Sequence, residues 1–140
     1  MPDAVAQGSD EPLRVSILTQ GGHLIASIHT ALDDGQLLRF RNELLERIGT
    51  HRSHGVIIDV AALDVIDSFA CHTLRSIAQV ARLRGADTVI VGIKPDVALA
   101  MVQLGASLEP VRTALDLEAA FEQLAENEPS APFTPGAAPR

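Results

Sequence analysis

The sequence lacks most of the residues on which nucleic-acid binding depends. It has no Trp or Tyr and only four Phe among 140 residues, so aromatic platforms for stacking bases are scarce. Its 18 acidic and 11 basic side chains give a formal net charge of −7, which repels nucleic-acid phosphates and anionic membrane surfaces. We therefore expect no nucleic-acid partner and no membrane partner, and a surface better suited to basic proteins.

Cysteine and long apolar runs are scarce as well. Cys71 is the only cysteine, which excludes an intramolecular disulfide and a cysteine-rich zinc site and is typical of a reducing compartment. Residues 1–12 contain neither the basic nor the apolar segment of a signal peptide. No apolar run approaches the ~20 residues that a membrane-spanning helix needs. Together these features predict a cytoplasmic protein.

Both ends of the chain are poor in apolar side chains. Residues 1–12 combine two prolines with small and acidic residues, and residues 127–140 contain four prolines among Ala, Ser and Gly. Such segments bury too little surface to offset the entropy lost on ordering. We expect disordered tails at 1–12 and 127–140, the second of which could serve as a docking peptide, and one domain at 13–126.

The first half of that domain predicts a hairpin, a helix and a central strand. Alternating apolar residues over 13–18 and an apolar run over 23–28 flank the turn at Gly21 and Gly22. After Asp33 or Asp34 as a cap, apolar residues recur every three or four positions up to Gly49. The apolar run 56–58 is typical of a strand covered on both faces.

The second half predicts two further strands and three helices. Helices are expected from Ser68 to Arg84 and from Pro95 to Leu104, with a strand over 88–91 between them. The segment 109–111 can form only an edge strand, because proline lacks the ladder donor. The segment 113–116 resembles a capping box that opens the last helix.

The resulting order is ββαβαβαβα. Right-handed crossovers would place about five strands in one mixed sheet with about four helices packed against it, an α/β or α+β fold.

Ser68 is the first candidate for a functional residue. It lies nine residues after Asp59, the carboxylate that ends the predicted central strand, and it is the first residue of a predicted helix. The start of a helix collects unpaired N–H groups and the positive end of the macrodipole, so a phosphate attached there would meet ready-made donors. The simpler interpretation is an N-cap, worth about 1 kcal/mol.

Catalysis is the competing interpretation of the same helix. Ser68, Cys71 and His72 are close in sequence, yet a base so near its nucleophile rarely has the geometry for proton transfer, and no Gly-x-Ser-x-Gly elbow is present. Cys71 lies in the first turn of the predicted helix, where a thiol could have a lowered pKa. The favoured interpretation is that Cys71 is a small buried packing residue. We expect no enzymatic activity.

Metal and nucleotide sites are not indicated either. His51 and His54 lack further ligands at zinc-site spacing, and no glycine-rich nucleotide fingerprint is present. We expect no cofactor and no bound metal.

Several motifs, in a fixed order, resemble STAS domains, the fold of anti-sigma-factor antagonists, and within that family the scaffold proteins of the stressosome. The resemblance covers residues 13–126. The motifs that carry it are Leu32-Asp33-Asp34, Gly55-Val56-Ile57-Ile58-Asp59, Ile66-Asp67-Ser68-Phe69, Gly92-Ile93-Lys94-Pro95, Leu104-Gly105 and Thr113-Ala114-Leu115-Asp116-Leu117-Glu118.

The resemblance implies that Ser68 is a phosphorylated serine, with Asp59, Asp64, Asp67 and Phe69 as its neighbours in a switch loop. It implies a scaffold that forms homo- and hetero-oligomers with an RsbR-like STAS co-antagonist in a large cytoplasmic complex. That complex would hold a serine kinase, release it when the kinase phosphorylates the scaffold, and be reset by a serine phosphatase.

Two alternatives remain at this point. Simpler antagonists bind an anti-sigma kinase directly and usually have a small residue after the acceptor region, whereas Phe69 and Ala70 follow Ser68 here, which favours the scaffold group. The other alternative is a STAS module that docks a ligand or a partner without being phosphorylated.

Overall fold

Five strands and four helices lie within residues 14–127, the part of the chain that the structure, a computed structural model, describes. The predicted order of elements and the α/β class are confirmed, whereas the tails predicted at 1–12 and 127–140 lie outside the described residues except for Asn127. The elements are β1 Val15–Gln20, β2 His23–Ile28, α1 Asp34–His51, β3 Gly55–Asp59, α2 Ser68–Leu83, β4 Asp87–Val91, α3 Pro95–Leu104, β5 Arg112–Ala114 and α4 Leu117–Asn127.

The strands form one mixed sheet in the order β1-β2-β3-β4-β5. The hairpin pairs β1 with β2 in antiparallel fashion, and β2, β3, β4 and β5 are mutually parallel. The central position of β3 explains its continuous apolar run, because Val56, Ile57 and Ile58 are completely buried. The prediction of a central strand covered on both faces is therefore confirmed.

The sheet separates two apolar clusters, because successive side chains of a strand point to opposite faces. On one face, Leu24, Val56 and Ile58 pack with Leu44 of α1 and Leu74 of α2 in the main core. The residues of the opposite face pack under α4, and they are Ile25, Ile57, Val89, Val91, Ala120 and Leu124. One helix thus covers the second face, whereas α1, α2 and residues Val97 and Met101 of α3 pack in the core on the first.

The position of the fifth strand differs from the prediction. Residues 109–111 do not form a strand, because the Val111 amide donates to the Leu108 carbonyl at 2.8 Å and closes a turn. The strand instead begins at Arg112 and pairs with β4. The prediction was right that Pro110 cannot sit inside a ladder, but it placed the strand before the turn rather than after it.

Two helix boundaries also differ. Thr113 lies in β5 and caps nothing; the side chain of Asp116 accepts from the Ala119 amide at 2.9 Å, so α4 begins three residues later than the predicted capping box. Helix α1 continues past Gly49 to His51 and ends at Arg52, whose φ of 52° is left-handed. At its start, Asp33 is the cap. The first strand extends to Gln20, directly at the Gly21 turn.

Each edge of the sheet is blocked by a side chain from a helix. At β1, the Arg47 guanidinium of α1 donates to the Ile17 carbonyl at 3.4 Å. At β5, the Gln123 amide of α4 donates to the Thr113 carbonyl at 3.0 Å. Unpaired edge groups are templates for pairing with another chain, so these contacts protect both edges.

Leu74 and Leu83 of α2 provide a matched test of this packing. The Leu74→Ala substitution should lower the free energy of unfolding by about 2–5 kcal/mol, because it leaves a cavity in the main core. Leu83 is 87% exposed, so Leu83→Ala should change it by no more than about 0.5 kcal/mol. Urea denaturation of both variants measures the difference, and equal losses would contradict the packing described.

Candidate functional site

The loops that follow β3, β4 and β5 lie side by side, because the carboxyl ends of these parallel strands are at the same end of the sheet. The Val60 amide donates to the Val91 carbonyl at 3.0 Å, and the Gly92 amide donates to the Ala114 carbonyl at 3.2 Å. These two bonds join three neighbouring loops into one surface, on which α2, α3 and α4 begin.

The switch loop, residues 60–67, is anchored by buried apolar side chains and exposes acidic side chains to solvent. Val60, Leu63 and Ile66 are buried in the main core and anchor it. Asp64 and Asp67 are exposed. Apolar anchors at every third residue therefore fix a loop whose other residues lie at the surface.

Asp59 has a structural task at the start of this loop. Its side chain accepts from the Ala61 amide at 2.9 Å and so turns the chain out of β3. It is only partly exposed. The structure thus assigns Asp59 to the turn rather than to the exposed surface that carries Asp64.

Asp67, not Ser68, is the N-cap of α2. The Asp67 side chain accepts from the Ala70 amide at 2.8 Å, and its carbonyl accepts from the Cys71 amide at 2.9 Å. Ser68 is the exposed first residue of the helix, and the amides of Ser68 and Phe69 have no acceptor within the helix. The N-cap interpretation therefore applies to its neighbour, and the Ser68 hydroxyl is not used for capping.

A salt bridge links the switch loop to the next loop along the sheet. The Lys94 ammonium lies 2.7 Å from a carboxylate oxygen of Asp64. Lys94 lowers the pKa of Asp64, first through this hydrogen bond and then through its charge. No local sequence pattern indicates this partner; the signal for it is the parallel order of strands, which places the loop after β4 beside the loop after β3.

Gly92 allows those two loops to approach so closely. Its φ is +84°, a left-handed conformation that favours glycine. A Cβ at this position would lie 2.8 Å from the Cβ of Ala61. Glycine at position 92 is thus required both by the backbone conformation and by the contact with the switch loop.

The three residues of the catalytic interpretation do not share a surface. Ser68 and His72 are exposed, whereas Cys71 is 2% exposed within the main core. Burial raises the pKa of the Cys71 thiol, so the possibility of a lowered pKa is wrong and the buried packing role is confirmed. Phe69 is partly buried, and its carbonyl accepts from the Thr73 hydroxyl at 2.9 Å.

A small apolar cleft lies beside the start of α2. It has a volume of about 100 Å³ and separates this helix from the start of α1. Its walls include Leu32, Leu37 and Ala70, with Asp67 among the lining residues. Val65, also in its wall, is 69% exposed. The surface next to Ser68 thus combines apolar contact area with an acidic group.

Two further groups of observations bear on membranes and metals. Within 14–127, no helix has the length and apolar character needed to cross a membrane. In the same described range, no three His, Cys, Asp or Glu side chains are grouped so that they could hold a metal ion.

The fold and the sequence together define the family. The STAS domain family model matches residues 14–120, and the chain belongs to this family. The chain is 30% identical over 95 residues to the RsbT co-antagonist protein RsbRA of Bacillus subtilis (strain 168), a match that covers 68% of this chain and 35% of that protein. The chain therefore spans about a third of the length of this curated relative.

Two solved structures are similar over most of the chain. A serine-to-glutamate variant of RsbS from Moorella thermoacetica is 34% identical with a TM-score of 0.69, covering 81% of this chain and 97% of that one. A stressosome structure, described as a signal integration and transduction hub, is 30% identical with a TM-score of 0.63, covering 79% and 96%. The chain is thus a STAS protein of the scaffold and antagonist class, related to RsbS, and the predicted resemblance is confirmed.

The Asp64–Lys94 salt bridge can be tested by titration. The Lys94→Gln substitution should raise the pKa of Asp64 towards its ordinary value of 3.8, because both causes of the lowered pKa come from Lys94. Lys94→Arg should keep it low, since the charge and the donor remain. Carbon NMR of the Asp64 carboxyl group against pH measures both, and an unchanged pKa in the glutamine variant would contradict the contact.

Proposed function

We propose that this protein is a non-enzymatic scaffold and switch subunit of a stressosome-type complex, controlled by phosphorylation of Ser68. The proposal rests on one observation, the exposure of this serine at the start of α2 in a STAS fold. It is the exposed first residue of α2, and its hydroxyl makes no hydrogen bond in the described part of the chain. A kinase could therefore reach the hydroxyl without breaking a contact.

The start of α2 suits a phosphate once it is attached. A phosphoserine carries about −1.5 to −2 charges at neutral pH, together with three acceptor oxygens. The amides of Ser68 and Phe69 can donate to these oxygens, and the helix dipole favours the negative charge. The folded protein would thus tolerate the modification without a rearrangement of the helix.

The same charge would be unfavourable at an interface. Asp67, the adjacent residue, is exposed, Lys94 is already paired with Asp64, and the apolar cleft beside α2 offers no cation among its lining residues. A partner that buries this surface must desolvate the phosphate next to like charges. A penalty of a few kcal/mol, enough to change a mostly bound state into a mostly free one, requires no hinge motion.

The proposed partners follow from the family and from the relatives. One curated relative is described as a co-antagonist of RsbT, and one solved structure is that of a stressosome. We assign this chain an RsbR-like STAS co-antagonist as its assembly partner in the cytoplasm. A switch-type serine kinase would be the protein it captures, and a serine phosphatase would reset Ser68. The kinase would supply the ATP.

A phosphorylation assay tests the modification itself. The protein is incubated with ATP and its kinase, and the modified residue is located by mass spectrometry. One phosphate is expected, on Ser68, and Ser68→Ala should abolish it. Ser76→Ala, a change in the same helix, should leave it intact. Phosphate on another residue, or none on Ser68, would refute the switch and favour a docking module without covalent control.

A binding assay tests the consequence for the kinase. Ser68→Asp should weaken capture of the kinase by about 10- to 100-fold, which corresponds to about 1.4–2.8 kcal/mol, whereas Ser68→Ala should bind like the wild type. Gln79→Glu is the control for charge, because it adds the same charge to an exposed position of α2. Equal affinities of all four proteins would contradict the mechanism.

The size of the assembly separates the scaffold from a simple antagonist. Mixed with its co-antagonist, the protein should elute far above the 14.8 kDa of one chain. If it stays a monomer or a dimer in this mixture, the direct antagonist of an anti-sigma kinase is the better description.

A further inference from the structure

A groove lies between α3, β5 and α4, and we call it the α3–β5 groove. Its volume is about 490 Å³, within the ~300–1,000 Å³ that is typical of ligand sites. Seven of its twelve lining residues are apolar, and Gln123 of α4 is in its wall. Met101 and Leu108 also belong to the main core, whereas Val102 is 75% exposed. The groove thus offers apolar contact area on a fixed base.

Hydrogen bonds hold the loop that lines this groove, residues 105–111. The Ala106 amide donates to the Met101 carbonyl at 2.9 Å, and the Arg75 guanidinium of α2 donates to the Ser107 carbonyl at 2.6 Å. An occupant would therefore bind to a backbone that is already ordered, which lowers the entropic cost of binding.

Charge is absent from the segment that forms much of the groove and from one other segment. No Asp, Glu, Lys or Arg occurs in residues 97–108. The same holds for residues 129–139, which lie outside the described residues and contain one aromatic side chain, Phe133. Two uncharged segments can come into contact without the cost of removing a charge from water. The groove and residues 129–139 are therefore compatible in charge.

Prolines recur at every third residue of that segment, at positions 129, 132 and 135. A polyproline II helix has three residues per turn, so this spacing would place the three prolines on one side and Ser130 and Phe133 on another. Segments with P-x-x-P spacing bind in grooves as polyproline II helices, which are preformed and lose little entropy on binding. The segment is too poor in apolar surface to order itself, but a groove would supply the missing contacts.

The segment also begins close to the groove. Gln123 lies four residues before Asn127, where α4 ends, and four helical residues advance the chain by about 6 Å. Residues 128–133 span at most roughly 20 Å when extended, so Phe133 can enter the groove that Gln123 borders. So short a connection gives an effective concentration in the millimolar range. A contact too weak to form between separate molecules is therefore sufficient within one chain.

We propose that residues 129–135 bind in the α3–β5 groove of their own chain as a polyproline II helix. The prolines and Phe133 contact Met101 and Val102. Arg112, an exposed lining residue, can donate hydrogen bonds to the carbonyls that a polyproline II helix leaves unpaired. The bound segment would thus cover apolar surface that α3 otherwise exposes to water.

This contact does not rest on phosphorylation of Ser68. The residues that line the groove include none of the switch loop and none of α2. A failure of the switch and a failure of the groove contact are therefore separate results.

Methyl NMR of the full chain tests the contact, because Met1 and Met101 are its only methionines. With carbon-13 methyl labels on methionine, the Met101 methyl should show a nuclear Overhauser effect to the ring of Phe133. Phe133→Leu should remove this effect and move the Met101 signal, whereas Thr134→Ala should leave both as they are. An unchanged Met101 signal in Phe133→Leu would overturn the proposal. So would a Met101 signal that moves on dilution, because the segment would then bind to a second copy.

Limited proteolysis with chymotrypsin, which cleaves after phenylalanine, gives a second readout. Val102→Glu places a carboxylate in the groove and should speed cleavage after Phe133 about fivefold, since cleavage follows the unbound population, which would rise from about a fifth to nearly all. Leu99→Glu is the matched control, because Leu99 is also on α3, is 58% exposed and does not line the groove. It should be cleaved at the wild-type rate.

Urea denaturation checks that both glutamate variants remain folded, as expected for substitutions of exposed residues. Equal cleavage rates after Phe133 in the wild type and Val102→Glu would overturn the proposal. Equal acceleration in Val102→Glu and Leu99→Glu would overturn it too, because the effect would then come from added charge on α3 and not from the groove.

Discussion

The central strand β3, which is buried from Gly55 to Ile58, is the constraint on which the rest of the structure depends. Its parallel pairing with β2 and β4 aligns Asp59 with Ser27 on one side and Val91 on the other. The loops that follow these strands consequently lie together at the carboxyl ends of the strands, where helices α2 and α3 begin. The position of Ser68 follows from this arrangement and from the apolar anchors of the switch loop, because neither the loop nor the start of α2 can shift without exposing core residues.

The carboxyl ends of the parallel strands and the β1–β2 hairpin differ in their electrostatics. Acidic groups and one lysine gather at the carboxyl edge, where a phosphate would alter the surface most strongly. The β1–β2 hairpin, by contrast, contains no Asp, Glu, Lys or Arg. A phosphate on Ser68 would therefore change the charge at the carboxyl ends of the strands and leave that of the hairpin as it is.

Much of the fold could be predicted from the sequence, because local patterns determine it. The apolar run of β3 and the start of α2 at Ser68 were predicted from patterning and capping chemistry, and the structure confirms both. The fifth strand was misplaced because a proline turn and a short edge strand have nearly the same composition. Whether Asp116 or Thr113 caps α4 depends on where that strand ends, so the second error followed from the first.

The contacts that the sequence did not reveal are long-range. Lys94 contacts Asp64, and Arg47 and Gln123 block the sheet edges, although each is distant in sequence from its partner or belongs to a different element. No local pattern specifies such pairs, since they arise only once the parallel order of strands is known. Ser68 as a phosphoacceptor stays a prediction, drawn from the family and consistent with its exposure.

The most direct test of the central claim uses the true modification. The protein is phosphorylated to completion, its single phosphate on Ser68 is verified by mass spectrometry, and its affinity for the kinase is compared by calorimetry with that of the unmodified protein. The account predicts that phosphate on Ser68 lowers the affinity by at least about tenfold, or about 1.4 kcal/mol. Equal affinity of the two forms would contradict it.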